Sequence, residues 1–310
     1  MTGVKVRLGI GSAPLAGGPG PGPELADLVD DLEARGVDSL WLADQASAPS
    51  IDPLVGMGFA VSRTRTLKVG SGVIVLPGRN PALVAAQLAS LAALAPRRIL
   101  PAFGVRPALA AERQLFPAPN GDRAALFDES LVVVRRLLAE PRVTHHGRFF
   151  HLDDVSVGPL PPRPPDIWLG GRAPAGLRRV GRLADGWLGS LVTPDEAEDA
   201  RTQIERAAAE AGREIEDDHY GTNIAVVPPG TSEADTAAAR ERVTRVRTDV
   251  DPAVLVPQGW GEARDLVRRF VDVGLTKFVI RPAGRITEWR GFLNQFDAQL
   301  RPLERVLSDE

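Results

Sequence analysis

The chain has 310 residues, 44% of them apolar and 25% charged, a balance that supports a sizeable core and excludes a disordered chain. The formal net charge is only -3, and basic residues are scattered among acidic ones instead of forming a stripe, so nucleic acid is set aside as a partner. Cysteine is absent, which removes disulfides, thiol nucleophiles and thiolate metal sites together. Met1 to Ile10 offers no apolar run fit for a secretory signal, and no later stretch reaches the roughly 18 apolar residues of a membrane span. A soluble, cytoplasmic protein without a membrane partner is the expectation.

In chain order, Val4, Val6, Leu8 and Ile10 alternate with polar residues and glycine as a strand does. A Gly/Pro-rich loop from Gly11 to Pro23 leads into an amphipathic helix carrying Leu25, Leu28, Val29 and Leu32, which Gly36 stops before a strand at Ser39 to Leu42. Next come a helix from Pro53 to Arg63, a strand from Lys68 to Val75, a helix from Pro81 to Ala95 and a strand from Arg98 to Phe103. Phe127, Leu131, Val134 and Leu138 mark a further helix. Arg142 to Val157 reads as an extended excursion, and Pro159 to Pro165 is too proline-rich for regular structure.

The alternation then resumes. Ile167 to Leu169 is a strand, Leu177, Val180 and Ala184 mark a helix, Trp187 to Leu191 is a strand, Asp195 to Ala211 a helix and Tyr220 to Val227 a strand. Gly230 to Asp251 is charged, and Arg240, Arg242, Arg245 and Arg247 suggest a solvated helix. Leu266, Val267 and Phe270 form the next helical face, Lys277 to Ile280 the last strand, and Phe292, Phe296, Leu300 and Leu303 the closing helix.

Strands separated by helices imply parallel pairing, since each crossover returns the chain to the same end of the sheet. Eight such units predict a (β/α)8 TIM barrel in a single domain, 1–310, with insertions at its C-terminal face. The alternative, an open doubly wound sheet, calls for a Gly-rich turn leading directly from the first strand into a helix. Here Gly9 and Gly11 are followed by Pro14 and a long loop, so a closed barrel fits better.

Gly70-Ser71-Gly72-Val73-Ile74-Val75-Leu76-Pro77 with Asn80-Pro81, and the helix running through Gln87 to Ala95-Pro96, resembles the third strand and helix of the bacterial luciferase-like oxidoreductases. Pro161 to Pro165 leading to Ile167-Trp168-Leu169-Gly170-Gly171, followed by Asp185-Gly186-Trp187, is similar to the family's proline-rich entry, Gly-Gly turn and Asp-Gly-Trp. Gly274 to Pro282 is similar to its last barrel unit. The pattern is most similar to the subset that uses coenzyme F420 (8-hydroxy-5-deazaflavin) to exchange a hydride with a small-molecule substrate. Other members use reduced FMN and oxygen, and those depend on a separate reductase. The family also implies a homodimer.

The resemblance implies roles for residues at strand C-termini, where α/β barrels build their sites. Asp44 takes the place of an acidic residue facing the cofactor; a loop or cap carboxylate is the plainer reading. Gly72-Val73 falls where members often carry a non-proline cis peptide behind the flavin ring, although Gly72 also suits a crowded barrel wall. Gly170 and Gly171 would present backbone N–H groups to a phosphate beside a helix start, with Arg172 adding charge; an ordinary strand-to-helix turn is the alternative. Asp185, Gly186 and Trp187 would shape the same rim, Trp187 equally by packing.

Two positions depart from the subset. Where members often carry His after the strand-two Asp, and Glu in the turn after strand four, this chain has Gln45 and Arg106. Neither moves a proton near neutral pH as His or Glu does. Arg106 is therefore expected to orient an anionic group by paired hydrogen bonds, or else to be a surface residue after a turn. His145 and His146 would point to opposite faces of a strand and cannot chelate together, and His151 and His219 lack metal-ligand spacing, so no metal is expected. No Ser-His-Asp pattern supports hydrolysis. Three functions remain open: F420-dependent hydride transfer, a reduced-FMN monooxygenase, and a barrel that binds a cofactor without catalysis.

Overall fold

The computed structural model describes residues 5–13, 15, 17–48, 50–107, 110–119, 121–284 and 286–306. Val4, assigned to the first strand, lies outside them. The first half contains β1 (Arg7–Gly11), α1 (Pro21–Arg35), β2 (Ser39–Leu42), α2 (Pro53–Arg63), β3 (Lys68–Ser71), β4 (Ile74–Val75), α3 (Pro81–Leu94), β5 (Ile99–Leu100), β6 (Ala102–Gly104) and α4 (Arg123–Ala139). Then follow β7 (Val143–His146), β8 (His151–Val155), β9 (Trp168–Gly170), α5 (Pro174–Leu183), β10 (Gly186–Ser190), α6 (Pro194–Glu210) and β11 (Tyr220–Val226). The chain closes with α7 (Glu233–Thr244), α8 (Pro252–Leu255), α9 (Gly259–Asp272), β12 (Lys277–Pro282), α10 (Trp289–Gln299) and α11 (Pro302–Val306).

Local chemistry sets the helix ends. Gly36 ends α1 in the left-handed region at φ 63°, where glycine pays no Cβ penalty. The side chains of Asp52 and Asn80 each accept two backbone N–H groups at the starts of α2 and α3, and Thr193 with Glu196 forms a reciprocal capping box on α6.

Ten strands form one curled parallel sheet in the order β4-β6-β9-β10-β11-β12-β1-β2-β3-β5, and β7 and β8 form a separate pair. The stretches expected as single strands over Lys68–Val75 and Arg98–Phe103 are each divided. The first breaks at the cis Gly72–Val73 peptide. The second breaks at Pro101, which has no N–H to give a neighbour. Matching halves still pair: Val69 opposes Ile99 and Ile74 opposes Phe103. The excursion at Arg142–Val157 is an antiparallel hairpin, pinned where Glu129 of α4 accepts the N–H groups of Arg148, Phe149 and Phe150.

The main apolar core runs from Val6 to Leu303 between sheet and helices. A second cluster of Trp41, Ala102, Trp168, Leu188 and Val279 sits inside the curled sheet, contributed by five strands. It separates the two ends of the sheet and forms a floor for the C-terminal end. The charged stretch after Gly230 differs from the expectation at one residue. Arg240 is half-buried and Arg242 and Arg245 are exposed, but the Arg247 side chain is 0% exposed and bonds Glu196 at 2.6 Å and Asp249 at 2.9 Å. Its charge is neutralised inside the molecule, tying the turn after α7 to the start of α6. Among the described residues, no helix is long and apolar enough to cross a membrane.

Candidate functional site

A cavity of about 740 Å3 opens at the C-terminal ends of the parallel strands. Its wall is built from Ala43 to Gln45 after β2, Gly72 and Val73 between β3 and β4, Gly104 to Arg106 after β6, and Gly170 to Arg172 after β9, with Ser190, Asn223 and Arg281 closing the circuit. These segments are distant in sequence and meet because parallel strands deliver all their C-termini to one end.

The Asp44 carboxylate has a side-chain exposure of 2% and pairs with Arg79 at 2.9 Å. The same oxygen accepts the N–H of Val75 at 3.0 Å. The carboxylate thus lines the cavity and also holds the β4 backbone. Gln45 follows on the wall, half-buried.

Val73 explains two glycines. A Cβ at Gly104 would come within 2.5 Å of Val73 Cγ2, and one at Gly170 within 3.0 Å of Val73 Cγ1. The Val73 side chain, carried inward after the cis peptide, occupies the space that side chains on β6 and β9 would need. Gly170 therefore serves packing, while Gly171 serves the opening: its φ is +122° and nothing lies within 4 Å of where its Cβ would stand.

Gly171 leads through Arg172 and Ala173 into α5, whose N-terminus has no side-chain cap. Uncapped N–H groups with the helix dipole behind them favour an anion, and Ala173, Ala175 and Gly176 at this terminus line the cavity. Trp187 is fully buried and does not line the cavity, but its indole N–H donates to the Gly171 carbonyl at 2.8 Å. Arg172 is exposed and donates to the Val246 carbonyl at 3.2 Å.

Asp185 and Gly186 lie at the start of β10, the opposite end of the sheet from the cavity. Asp185 receives Arg135 at 2.7 and 2.9 Å, Arg213 at 3.1 Å and the N–H of Ile167 at 2.9 Å. Gly186 makes room for an indole, since a Cβ there would sit 2.6 Å from Trp168 Cδ2.

The cavity is electropositive: four arginines, Arg106, Arg172, Arg179 and Arg281, share its lining with one carboxylate, Asp44. Arg106 is exposed on the rim. Arg179 pairs with Asp128. Arg281 is different, for its Nε is buried without a partner and its side chain bonds only Asn223 among the described residues. Burial alone pushes its pKa down, with no carboxylate opposing, yet a guanidinium stays protonated near neutral pH. The sequence placed Arg281 at the end of the last strand without a role; a single arginine after Phe278-Val279-Ile280 was the available signal. No histidine, lysine, glutamate or tyrosine lines the cavity among the described residues. His145 bonds Glu129, His146 bonds Asp153, and His219 bonds the Asp185 carbonyl, all outside the cavity.

Known proteins agree with this architecture. Residues 2–277 match the family model described as luciferase-like monooxygenase. Over 165 residues the chain is 34% identical to an uncharacterised protein of Mycobacterium tuberculosis, a match that covers 53% of this chain and only 57% of that relative's length. Over 321 residues it is 27% identical to an F420-dependent glucose-6-phosphate dehydrogenase of Kineococcus radiotolerans, covering 91% of this chain and 93% of the relative. The fold is similar to that of an F420-dependent secondary alcohol dehydrogenase in complex with an F420-acetone adduct, with TM-score 0.78, 18% identity, and coverage of 96% of this chain and 98% of that one. It is similar as well to the oxygenating constituent of 3,6-diketocamphane monooxygenase from Pseudomonas putida in complex with FMN, with TM-score 0.72, 14% identity, and 99% of both chains covered. With this match over most of its length, the chain belongs to the luciferase-like monooxygenase family.

Proposed function

We propose that this protein is an oxidoreductase that holds coenzyme F420 in the C-terminal cavity and exchanges a hydride with a small organic substrate. The observation that carries the reading is the convergence, in one cavity of about 740 Å3, of the apolar Val73 side chain, the surplus of arginine and the open Gly171 turn at the uncapped α5. The volume lies in the range of cofactor sites. The residues present fit the group, with a glycine-lined approach free of Cβ atoms at Gly171 and Gly176, a helix terminus for phosphate and a surplus of arginine. The name of the Kineococcus radiotolerans relative agrees with this assignment.

When bound, the deazaflavin supplies two-electron hydride chemistry. The chain itself positions and shields. Val73 and Leu188 present apolar surface, Asp44 holds the β4 backbone, and Gly171 with the α5 terminus offers N–H donors. Gln45 lies beside Asp44 as an uncharged donor and acceptor, and Arg106 stands at the rim as a fixed cation. Neither is a proton carrier, so the proton that accompanies hydride transfer is assigned to water or to the substrate.

The ten sheet strands read as eight barrel staves, with β3 and β4 as one and β5 and β6 as another, in a single domain over 1–310. A homodimer is proposed through α2 and α3, where Val55, Phe59, Leu83 and Leu94 leave large apolar side chains exposed.

Titration of the purified protein tests the function. Coenzyme F420 is expected to bind, with quenching of its fluorescence, and to be reduced or oxidised in the presence of a matching substrate. Binding of FMN alone would replace this reading with a monooxygenase served by a separate reductase. Absence of either complex up to millimolar concentration, about -4 kcal/mol, would end both.

A further inference from the structure

Among the described residues, Arg281 is the cavity-lining arginine whose bonding is incomplete: the side chain is half-buried and its Nε is shielded from water. It projects from β12 into a space that Gly11 of β1 leaves open, since a Cβ at Gly11 would meet Arg281 Cβ and Nε at 3.3 Å. Asn223 of β11 accepts from the guanidinium through Oδ1, and its amide orientation is fixed because its Nδ2 donates to the Gly189 carbonyl at 3.1 Å. Asn223 is neutral, so it steers the cation without cancelling its charge. Nε remains buried without an acceptor, and no described carboxylate reaches it. The single carboxylate on the cavity wall, Asp44, is committed to Arg79 and Val75. A cation held this way lacks an anion, and leaving it unpaired is costly.

The missing anion is not the group expected at Gly171. In the sheet order, β9 and β12 are separated by β10 and β11, which at about 4.8 Å per strand places the two positions roughly 14 Å apart around the wall. The cavity therefore offers two anion positions, one on the open turn and one on the opposite wall.

We propose that Arg281, steered by Asn223 and accommodated by Gly11, is the receptor for a carboxylate on the substrate, so that the reacting molecule is a small organic acid anion. The inference rests on the cavity being a chamber shared by cofactor and substrate. A planar guanidinium with spare N–H donors matches the two oxygens of a carboxylate. Arg106, exposed on the rim, is left to contacts at the entrance.

The test follows thermal unfolding of the full chain at constant ionic strength, with benzoate or its uncharged isostere benzamide, in buffer free of other carboxylates and phosphate. Benzoate is expected to raise the Tm saturably while benzamide does not. Arg281→Met should weaken benzoate about thirtyfold, the loss of a charged hydrogen-bonded contact. Arg281→Gln, which removes the charge and keeps a polar side chain, is the second variant and keeps the test decisive should Arg281→Met fail to fold. Equal shifts from benzoate and benzamide, or full benzoate affinity in either folded variant, would overturn the proposal. Coenzyme F420 titration of the same samples keeps the two readings apart. Failure of F420 to bind the unaltered chain, with benzoate selectivity intact, removes the cofactor assignment and leaves the anion receptor. Loss of F420 binding only in Arg281→Met assigns the arginine to the cofactor and overturns the substrate role.

Discussion

The carboxylate of Asp44 accepts the backbone N–H of Val75 at 3.0 Å, binding the end of β2 to the strand segment that resumes after Gly72–Val73. The same oxygen holds Arg79 at 2.9 Å, so one buried group fixes both the backbone that positions Val73 and a neighbouring cation. Asp44→Ala leaves the buried Val75 N–H without its acceptor and takes the nearer carboxylate from Arg79, which keeps the Val75 carbonyl and Asp52, with an expected cost of about 2 kcal/mol in urea unfolding. Coenzyme F420 affinity should fall at least about tenfold with it. Asp44→Asn, which keeps an acceptor for Val75, should recover most of the affinity; equal loss in both variants would show that the charge, not the backbone contact, matters.

Trp187 supports the proposed phosphate turn from below, through its 2.8 Å bond to the Gly171 carbonyl. Trp187→Phe keeps most of the buried ring and removes the donor, so its stability cost should stay near about 1 to 2 kcal/mol. The expected signature is weaker F420 binding with little change in the benzoate response, because only the turn is loosened. Gly171→Ala gives a second view: at φ +122° an L side chain is strained, and cofactor affinity should drop although no neighbour is struck.

How far the sequence carried can be judged at particular residues. The alternation of strand and helix and the stop at Gly36 were legible because turn chemistry and apolar period are local. The breaks inside Lys68–Val75 and Arg98–Phe103 were not, since a strand pattern survives a local change of backbone course. The reason for Gly104, the Val73 side chain across the wall, is a tertiary contact that the sequence does not display. Arg247 read as part of a solvated helix because its partner Glu196 lies 51 residues away. Asp185 sits only two residues before Trp187 in sequence yet lies at the end of the sheet away from the cavity, bonded to Arg135 and Arg213. Proximity in a motif did not imply proximity to the cavity.

The exposed apolar face of α2 and α3 was also hidden in the sequence, because α3 is apolar nearly all round and its period does not reveal a solvent side. Leu83 is 65% and Val55 66% exposed, which a lone subunit has little reason to keep. Leu83→Glu combined with Phe59→Glu should shift a dimer to monomer in light scattering, each charge being costly to desolvate at an apolar contact. A protein that is monomeric before substitution at micromolar concentration would remove the dimer proposal, whereas an unchanged dimer in the double variant would relocate its interface.

At the other end of the sheet, Asp38 sets an acid limit on stability. Burial works to raise its carboxyl pKa, but the ammonium groups of Lys277 and Lys68 overcome this and hold it well below the usual carboxylate range. Lys68 bonds it at 2.8 Å and Lys277, with a side-chain exposure of 3%, bonds its other oxygen. A carboxyl with a lowered folded-state pKa contributes stability that is complete above its unfolded value, near about 3.9, and is lost as pH falls toward the folded one. Unfolding free energy should therefore begin to decline as pH drops below about 5. Asp38→Asn strands the Lys277 charge and is expected to cost about 3 kcal/mol at pH 7. The gap between variant and wild type should narrow as pH falls below about 4, since the unfolded wild-type chain takes up a proton there that the folded carboxylate does not. Urea unfolding from pH 7 down to pH 3 measures both curves, and a gap that stays constant would show that the loss comes from altered packing and not from charge.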